Sequence, residues 1–417
     1  MPHTLGASVR ADFPFFSAHP DVVYLDTGAT SQRPTQVIEA EADFVRHDYA
    51  AVHRGSSMAT GEATWAFESA RERVAAFVGA AEREIVWTQN ATDALNMIAL
   101  GLADASTGLG DERFALREGD EIVVTEAEHH ANLIPWQRLA AKTGAVLRWA
   151  SVNADGMWTL DGLREQVTPK TRLIAFAHVS NVTGQIAPVA EIVEIARSVG
   201  ALTVLDACQS APHIPVNFRA LGVDFAAFSA HKMVGPTGIG ALYGRAELLD
   251  ALPPARTGGS MITVVTMETA EFLPAPNRFE AGTQAVSQAV GFGAAVDYLS
   301  ALGMDAVAAH EHEIAQALVE QIEKTPGVHL IGPAAGEYRA ALASFIVDGV
   351  HAHDVGQFLD DRGITVRTGH HCAQPLHRAI GTVSSTRASA GVYSTLDDVA
   401  AFGAALAEVR GFFGADR

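Results

Sequence analysis

Cysteine is nearly absent from this sequence, whose 417 residues include only Cys208 and Cys372. Two thiols cannot build a disulfide framework, and neither stands in a CxxC pair, which excludes disulfide-stapled and zinc-ribbon architectures. A reducing, cytoplasmic setting is expected. Positive charge is also scarce, with 29 Lys and Arg against 48 Asp and Glu and a formal net charge of -19. Nucleic acid and anionic membranes both reward basic surface, so neither is an expected partner. No apolar run is long enough to span a bilayer, and the N-terminus has no basic-then-apolar signal pattern. Repeats, heptads and low-complexity tracts are missing, and the 37 Gly and 17 Pro are scattered. What remains is a globular composition, 48% hydrophobic and 18% charged, with length enough for a large domain and a smaller one.

From about residue 21 short β-branched runs alternate with helical patterns: EIVWT (84–88), EIVVTE (121–126), RLIAFAH (172–178), ALTVLDA (201–207) and VDFAAFSA (223–230). Each is of strand length and apolar almost throughout. That pattern predicts a mostly parallel sheet covered by helices on both faces, an α/β fold. Ligands on such sheets gather beyond the carboxyl ends of the strands. After FEAGT (279–283) the texture changes to a long helical stretch over Val286 to Ile322, then short strands. The expected division is a large domain over 21–296 and a small α+β domain over 297–417, with residues 1–20 packing on the latter. The proline- and threonine-rich stretch from Leu252 to Asn277 reads as an ordered excursion, because it carries aliphatic residues throughout.

The strand ends hold the chemistry. FSAHKMVGPTGIG (228–240) sets Ser229, His231 and Lys232 between a buried strand and a glycine-rich turn. A lysine becomes a nucleophile toward an aldehyde when desolvation or a nearby cation lowers its pKa, so Lys232 is the candidate Schiff-base lysine. In isolation it would be a surface lysine. LDACQS (205–210) ends another strand on Asp206, with Gln209 following. A carboxylate there either caps the next helix or pairs with a cation such as a protonated pyridine nitrogen. WTQNATDALNMIAL (87–100) supplies a strand, a turn and an amphipathic helix that Asn90 could cap. Free amides around Ala91 and Thr92, with the Thr92 hydroxyl, would then face an anion. EHHANLIPW (128–136) offers His129 and His130, either able to stack on a ring and shuttle protons. No third ligand stands at a metal-binding spacing, so no metal is expected. RTGHHCAQPL (367–376) places Cys372 in a polar, glycine-flanked segment where Arg367 or His370 could favour the thiolate, whereas Cys208 fits a buried, inert thiol.

Together LDTGATSQRP, AAVHRGSS, EHHANLIPWQ, HVSNVTG, LDACQS, HKMVGPTGIG, RFEAGT, RTGHHCAQPL and TRAS, in this order from Leu25 to Ser389, resemble the group II (SUF-type) cysteine desulfurases. These belong to the class V aminotransferases within fold type I of the pyridoxal 5'-phosphate (PLP) enzymes. The resemblance implies that Lys232 binds the cofactor aldehyde, His129 stacks on the ring, Asp206 meets the pyridine nitrogen and Gln209 lies near the ring hydroxyl. Ala91, Thr92, Ser229 and His231 would hold the phosphate. Thr283 would reach the phosphate of a partner subunit, which implies a homodimer. Arg387 would clamp the substrate carboxylate with Asn181 assisting, and Gly28, Ala29, His53 and Arg367 would line the substrate mouth. The chain departs from the pattern at Ala230, where many relatives have glycine, at Gln284, where proline is usual, and in YST at Tyr393.

The implied reaction converts L-cysteine to L-alanine and leaves a persulfide on Cys372, with His129 returning protons. The sulfur would then pass to an acceptor for iron-sulfur cluster assembly. His353, just before Asp354, resembles the histidine of relatives that serve a zinc-containing U-type acceptor, where an imidazole can displace a zinc-bound thiolate. A surface histidine capping a helix is the plainer reading. Two rivals share the scaffold, a selenocysteine lyase acting on L-selenocysteine and an aminotransferase-like enzyme. A catalytically idle scaffold of an iron-sulfur assembly complex is the rival from another class.

Overall fold

The computed structural model describes residues 5–415. The β-branched runs form a seven-stranded sheet in the spatial order Ile85–Thr88, Gly240–Gly244, Phe225–Ser229, Leu202–Asp206, Thr171–Ala177, Glu121–Thr125 and Val146–Ala150. Pairing is parallel except where Gly240–Gly244 runs against both of its neighbours. Alternate side chains of each strand enter opposite cores. Val123, Ile174, Phe176, Leu205, Ala226 and Phe228 face one. Ile122, Val124, Leu173, Ala175, Val204, Phe225 and Ala227 face the other. Burial on both sides explains the near-continuous apolar runs, since each large side chain so buried contributes about 1.5–3 kcal/mol.

Two strands lie outside the five runs. Val146–Ala150 is an edge strand with half-exposed Val146 and Trp149, so it lacks the apolar continuity of the others. Gly240–Gly244 begins and ends on glycine, which weakens its strand pattern. A Cβ on Gly240 would lie 2.7 Å from both the Asn90 Cα and the Phe228 carbonyl oxygen. The glycine thus permits close approach just where the site is built.

The helical stretch expected from Val286 to Ile322 is two helices, Val286–Leu302 and Met304–Glu323, bent by 77° at Gly303, where φ is +83°. Position 297 falls inside the first of them, which packs on Thr35–His47 and Met58–Phe77. Among the described residues no single helix is long and apolar enough to cross a membrane. A second, antiparallel sheet has the order Val328–Ile331, Leu342–Val347, Ser385–Ser389, Arg367–Gly369. Near the N-terminus, the Gly6 amide donates to the Val392 carbonyl at 2.7 Å and Arg10 pairs with Asp398 at 2.8 Å. Phe13 meets the Tyr393 ring edge-on at 4.9 Å. The stretch from Leu252 to Asn277 is ordered, as a hairpin of Ile262–Val265 and Ala270–Phe272 with Met267 exposed at its turn.

Candidate active site

The carboxyl ends of the parallel strands surround a cavity of about 220 Å³. Its walls include Asn90, Ala91 and Thr92 after Ile85–Thr88, His129 after Glu121–Thr125, and Asn181 after Thr171–Ala177. Asp206 closes its strand, and Ser229 closes the next before the turn that carries His231 and Lys232. The antiparallel sheet contributes Arg367, His371, Cys372 and Arg387, and Gly28 and Ala29 complete the rim with Gln209. This is the position at which open parallel sheets bind ligands.

Local bonds hold each side chain. Ser31 accepts from the Val234 amide at 2.8 Å and donates to the His231 carbonyl at 3.0 Å, locking the Lys232 turn. Asp206 accepts the Cys208 amide at 3.0 Å. Gln209 donates to the Gly28 carbonyl at 2.8 Å, while its Oε1 is buried without a hydrogen-bond partner. His129 Nδ1 accepts the Ala131 amide at 3.0 Å, so the neutral ring carries its proton on Nε2. Burial lowers the His129 pKa to about 4 against the pull of Asp206, so the ring is neutral at pH 7. Buried Glu128 anchors that turn through Thr125 at 2.5 Å and Asn132 at 2.7 Å. Asn90 caps the helix Ala91–Ser106 by accepting the Asp93 amide at 2.9 Å. The Ala91 amide is not free as expected, for it donates to Ser229 Oγ at 2.8 Å, which ties two walls together.

Arg387 is buried, and burial lowers its pKa to about 10 although Asp26 opposes the shift. It donates to the Asn181 carbonyl at 2.8 Å and to Asp26 at 3.5 Å, while its Nε has no partner. Arg367 stands in register with it on the adjacent strand. Two guanidiniums side by side suit a carboxylate. A Cβ on Gly28 would lie 3.2 Å from the Arg387 guanidinium, so only glycine fits there easily. Cys372 sits on a turn in which His371 and Cys372 both have positive φ, +47° and +57°. Such geometry costs L-residues about 1–2 kcal/mol each, so the turn persists only because other bonds hold it. The Asn181 side-chain amide donates to the His371 carbonyl at 2.7 Å, and the His130 main-chain amide to the Cys372 carbonyl at 2.7 Å.

Several expected residues lie elsewhere. His53 does not line the cavity; it has φ +65° on an exposed loop and pairs with Glu68 at 2.7 Å. Thr283 is exposed beside a second cavity with Trp87, Gln89 and Arg256. It follows Glu280, whose bidentate bonds to buried Arg71 at 2.5 and 2.9 Å fix the FEAGT segment beside that second cavity. His353 is exposed in the first turn of Ala352–Asp360, and the cap there is His351, whose Nδ1 accepts the His353 amide at 3.2 Å. Not His370 but His371 reaches the cavity wall. Cys208 also lines the cavity, but burial and then Asp206 push its thiol pKa up, keeping it protonated. Asp26 was missed: it lies within a quoted motif, but nothing in sequence joins it to Arg387.

The aminotransferase class-V family model matches residues 23–402. The chain belongs to the class V aminotransferase family. It is 53% identical to a probable cysteine desulfurase 2 of Mycobacterium leprae, covering 98% of this chain and 97% of the relative. Its fold matches the apo structure of a cysteine desulfurase from Thermococcus onnurineus NA1 with a TM-score of 0.91, 38% identity and 98% coverage of each chain. It also matches a mutant of the enzyme C-DES with glycine covalently linked to the PLP cofactor, with a TM-score of 0.81 at 25% identity, over 96% of this chain and 99% of that one. The class V site described above fits PLP on its own donor set. A primary amine, a buried carboxylate, an imidazole, the helix start at Ala91 and the unpartnered Gln209 Oε1 border one cavity.

Proposed function

We propose that this chain is a PLP-dependent cysteine desulfurase of the SUF-type subgroup that converts L-cysteine to L-alanine and stores the sulfur as a persulfide on Cys372. The observation that carries this reading is the convergence of Lys232, Asp206, Arg387 and Cys372 on one cavity, with the thiol delivered from a different sheet. An aminotransferase-like reaction would need no such thiol.

Bound PLP supplies an electron sink for the charge left when the substrate Cα loses its proton. Lys232 would hold the cofactor, with Asp206 toward its ring nitrogen, His129 toward its ring face and Gln209 toward its ring hydroxyl. Thr92, Ser229 and His231 would seat the phosphate at the helix start that Ala91 opens, the Ala91 amide itself being held by Ser229. Arg387 and Arg367 clamp the substrate carboxylate, Gly28 and Ala29 close the rim, and Asn181 steadies both Arg387 and the cysteine turn. The Lys232 amine then removes the Cα proton. Cys372 Sγ, as thiolate, attacks the substrate sulfur; the new S–S bond forms as the Cβ–S bond breaks. His129, neutral with its proton on Nε2, is placed to hand a proton to the carbon skeleton. The proton lost by the Cys372 thiol balances the one gained at alanine Cβ. Given PLP and L-cysteine, the protein should form alanine in step with released sulfur; absence of alanine would overturn the reading.

The working unit in this proposal is a cytoplasmic homodimer of chains with domains at 21–296 and 297–417, residues 1–20 lying on the smaller. Support comes from Thr283 and His53, which stand exposed outside their own chain's cavity, where a second copy could reach them. The sulfur acceptor is a zinc-containing U-type protein that engages exposed His353. His353→Ala should leave the unstimulated rate intact and lose the stimulation of alanine formation by a zinc-loaded U-type partner. Equal stimulation of parent and variant would remove His353 from sulfur transfer.

A further inference from the structure

A buried hydrogen-bond chain beside Cys372 is left unused by the steps above. His377, on the short helix Gln374–Ala379, has Nδ1 2.9 Å from the Ala373 carbonyl and Nε2 2.9 Å from Ser385 Oγ. Ser385 Oγ lies 3.0 Å from His371 Nε2. All three side chains are buried.

The proton positions follow from donor chemistry. A carbonyl only accepts, so His377 Nδ1 carries a proton. Burial lowers the pKa of both rings, that of His371 to about 2 with Arg387 adding to the effect, so both are neutral at pH 7. Neutral His377 then has a bare Nε2, to which the Ser385 hydroxyl donates. The Ser385 oxygen is left to accept from His371 Nε2–H. Each proton has one place, and His371 Nδ1 is bare, buried and without a partner.

We propose that Ser385 is a positioning residue for sulfur transfer: its hydroxyl fixes the His371 ring and so holds the left-handed turn that presents Cys372 Sγ to the cavity. The proposal rests on the desulfurase reading. The Asn181 side-chain amide and the His130 main-chain amide hold the carbonyls of the turn, while the Ser385 bond holds the His371 side chain. Ser385 also lies two residues before Arg387 on one strand, and therefore on the same face. One rigid element thus sets both the nucleophile turn and the carboxylate clamp, the relation that an in-line attack on the substrate sulfur requires.

The test uses the PLP-loaded protein. Ser385→Ala should lower kcat for alanine formation by about tenfold to a hundredfold while KM for L-cysteine stays within about twofold, because misplacing a reacting atom costs rate rather than binding. Ser385→Thr, which keeps the hydroxyl, should recover most of the loss. Iodoacetamide labelling of Cys372, followed by mass spectrometry without substrate, should change in rate for Ser385→Ala and not for Ser385→Thr. Should Ser385→Ala fail to fold, His377→Phe removes the acceptor of the hydroxyl at similar ring volume and should shift kcat and labelling in the same direction. Parental kcat and labelling in Ser385→Ala or His377→Phe, or a threonine variant that behaves like the alanine one, would overturn the proposal. If the parent made no alanine from cysteine, the desulfurase reading would fall, and the labelling rates would still decide the role of Ser385.

Discussion

Cys372→Ala should reduce alanine formation from L-cysteine by roughly a thousandfold or more, the scale seen when a covalent nucleophile is removed. The substrate should still bind. Arg387 and the Lys232 turn do not depend on the thiol, since their bonds run to Asn181, Asp26 and Ser31. The variant should therefore show the same change in cofactor absorbance on adding cysteine, with KM near that of the parent. Only the step that breaks the Cβ–S bond lacks its attacking group. Cys208 should not substitute, because burial and Asp206 keep its thiol protonated although it borders the same cavity. Turnover of L-selenocysteine offers a sharper comparison, since selenium leaves carbon more readily and a selenium lyase can act without a protein thiol. The measurement is alanine released from each substrate by parent and variant. Equal cysteine turnover would take Cys372 out of the mechanism.

Lys232→Ala should abolish turnover, again by roughly a thousandfold or more, since in the proposed mechanism one side chain both holds the cofactor and moves the Cα proton. The two losses differ in a way that spectra resolve. The parent should be yellow, and borohydride should fix the cofactor to the peptide containing Lys232. In Lys232→Ala that covalent attachment should vanish, whereas in Cys372→Ala it should persist. The reason is local: the Lys232 turn is held by Ser31 and the sheet, not by the cysteine segment. A parent that stays colourless with added PLP, or a borohydride adduct on another residue, would remove Lys232 from this role.

Much of this site was legible in residue order because of one physical constraint. A strand buried on both faces must be apolar throughout, so the polar residues that follow each run mark where it leaves the core, and Asn90, His129, Asn181, Asp206 and Lys232 all stand at or within a few residues of those ends. The break at Gly303 was less legible, since helical periodicity continues on either side and only the local φ of +83° turns the chain. Ala91 illustrates a similar limit. Its amide stands at a helix start, but a serine from a distant strand had already claimed it.

The sequence by itself determined the α/β class, the family, the cofactor chemistry and the strand-end residues, because apolar periodicity and local motif spacing are properties of neighbouring positions. Tertiary structure alone decided which distant groups meet. It brought Cys372 from the antiparallel sheet to the cavity and joined Asp26 to Arg387. It turned His371 rather than His370 inward, set Ser385 between two histidines, and held His53 and Thr283 outside their own chain's cavity. Those outcomes depend on sheet register, on two successive left-handed residues and on buried ion pairs such as Arg71 with Glu280. Each is a balance of packing and desolvation across the fold, and none is encoded in the spacing of adjacent residues.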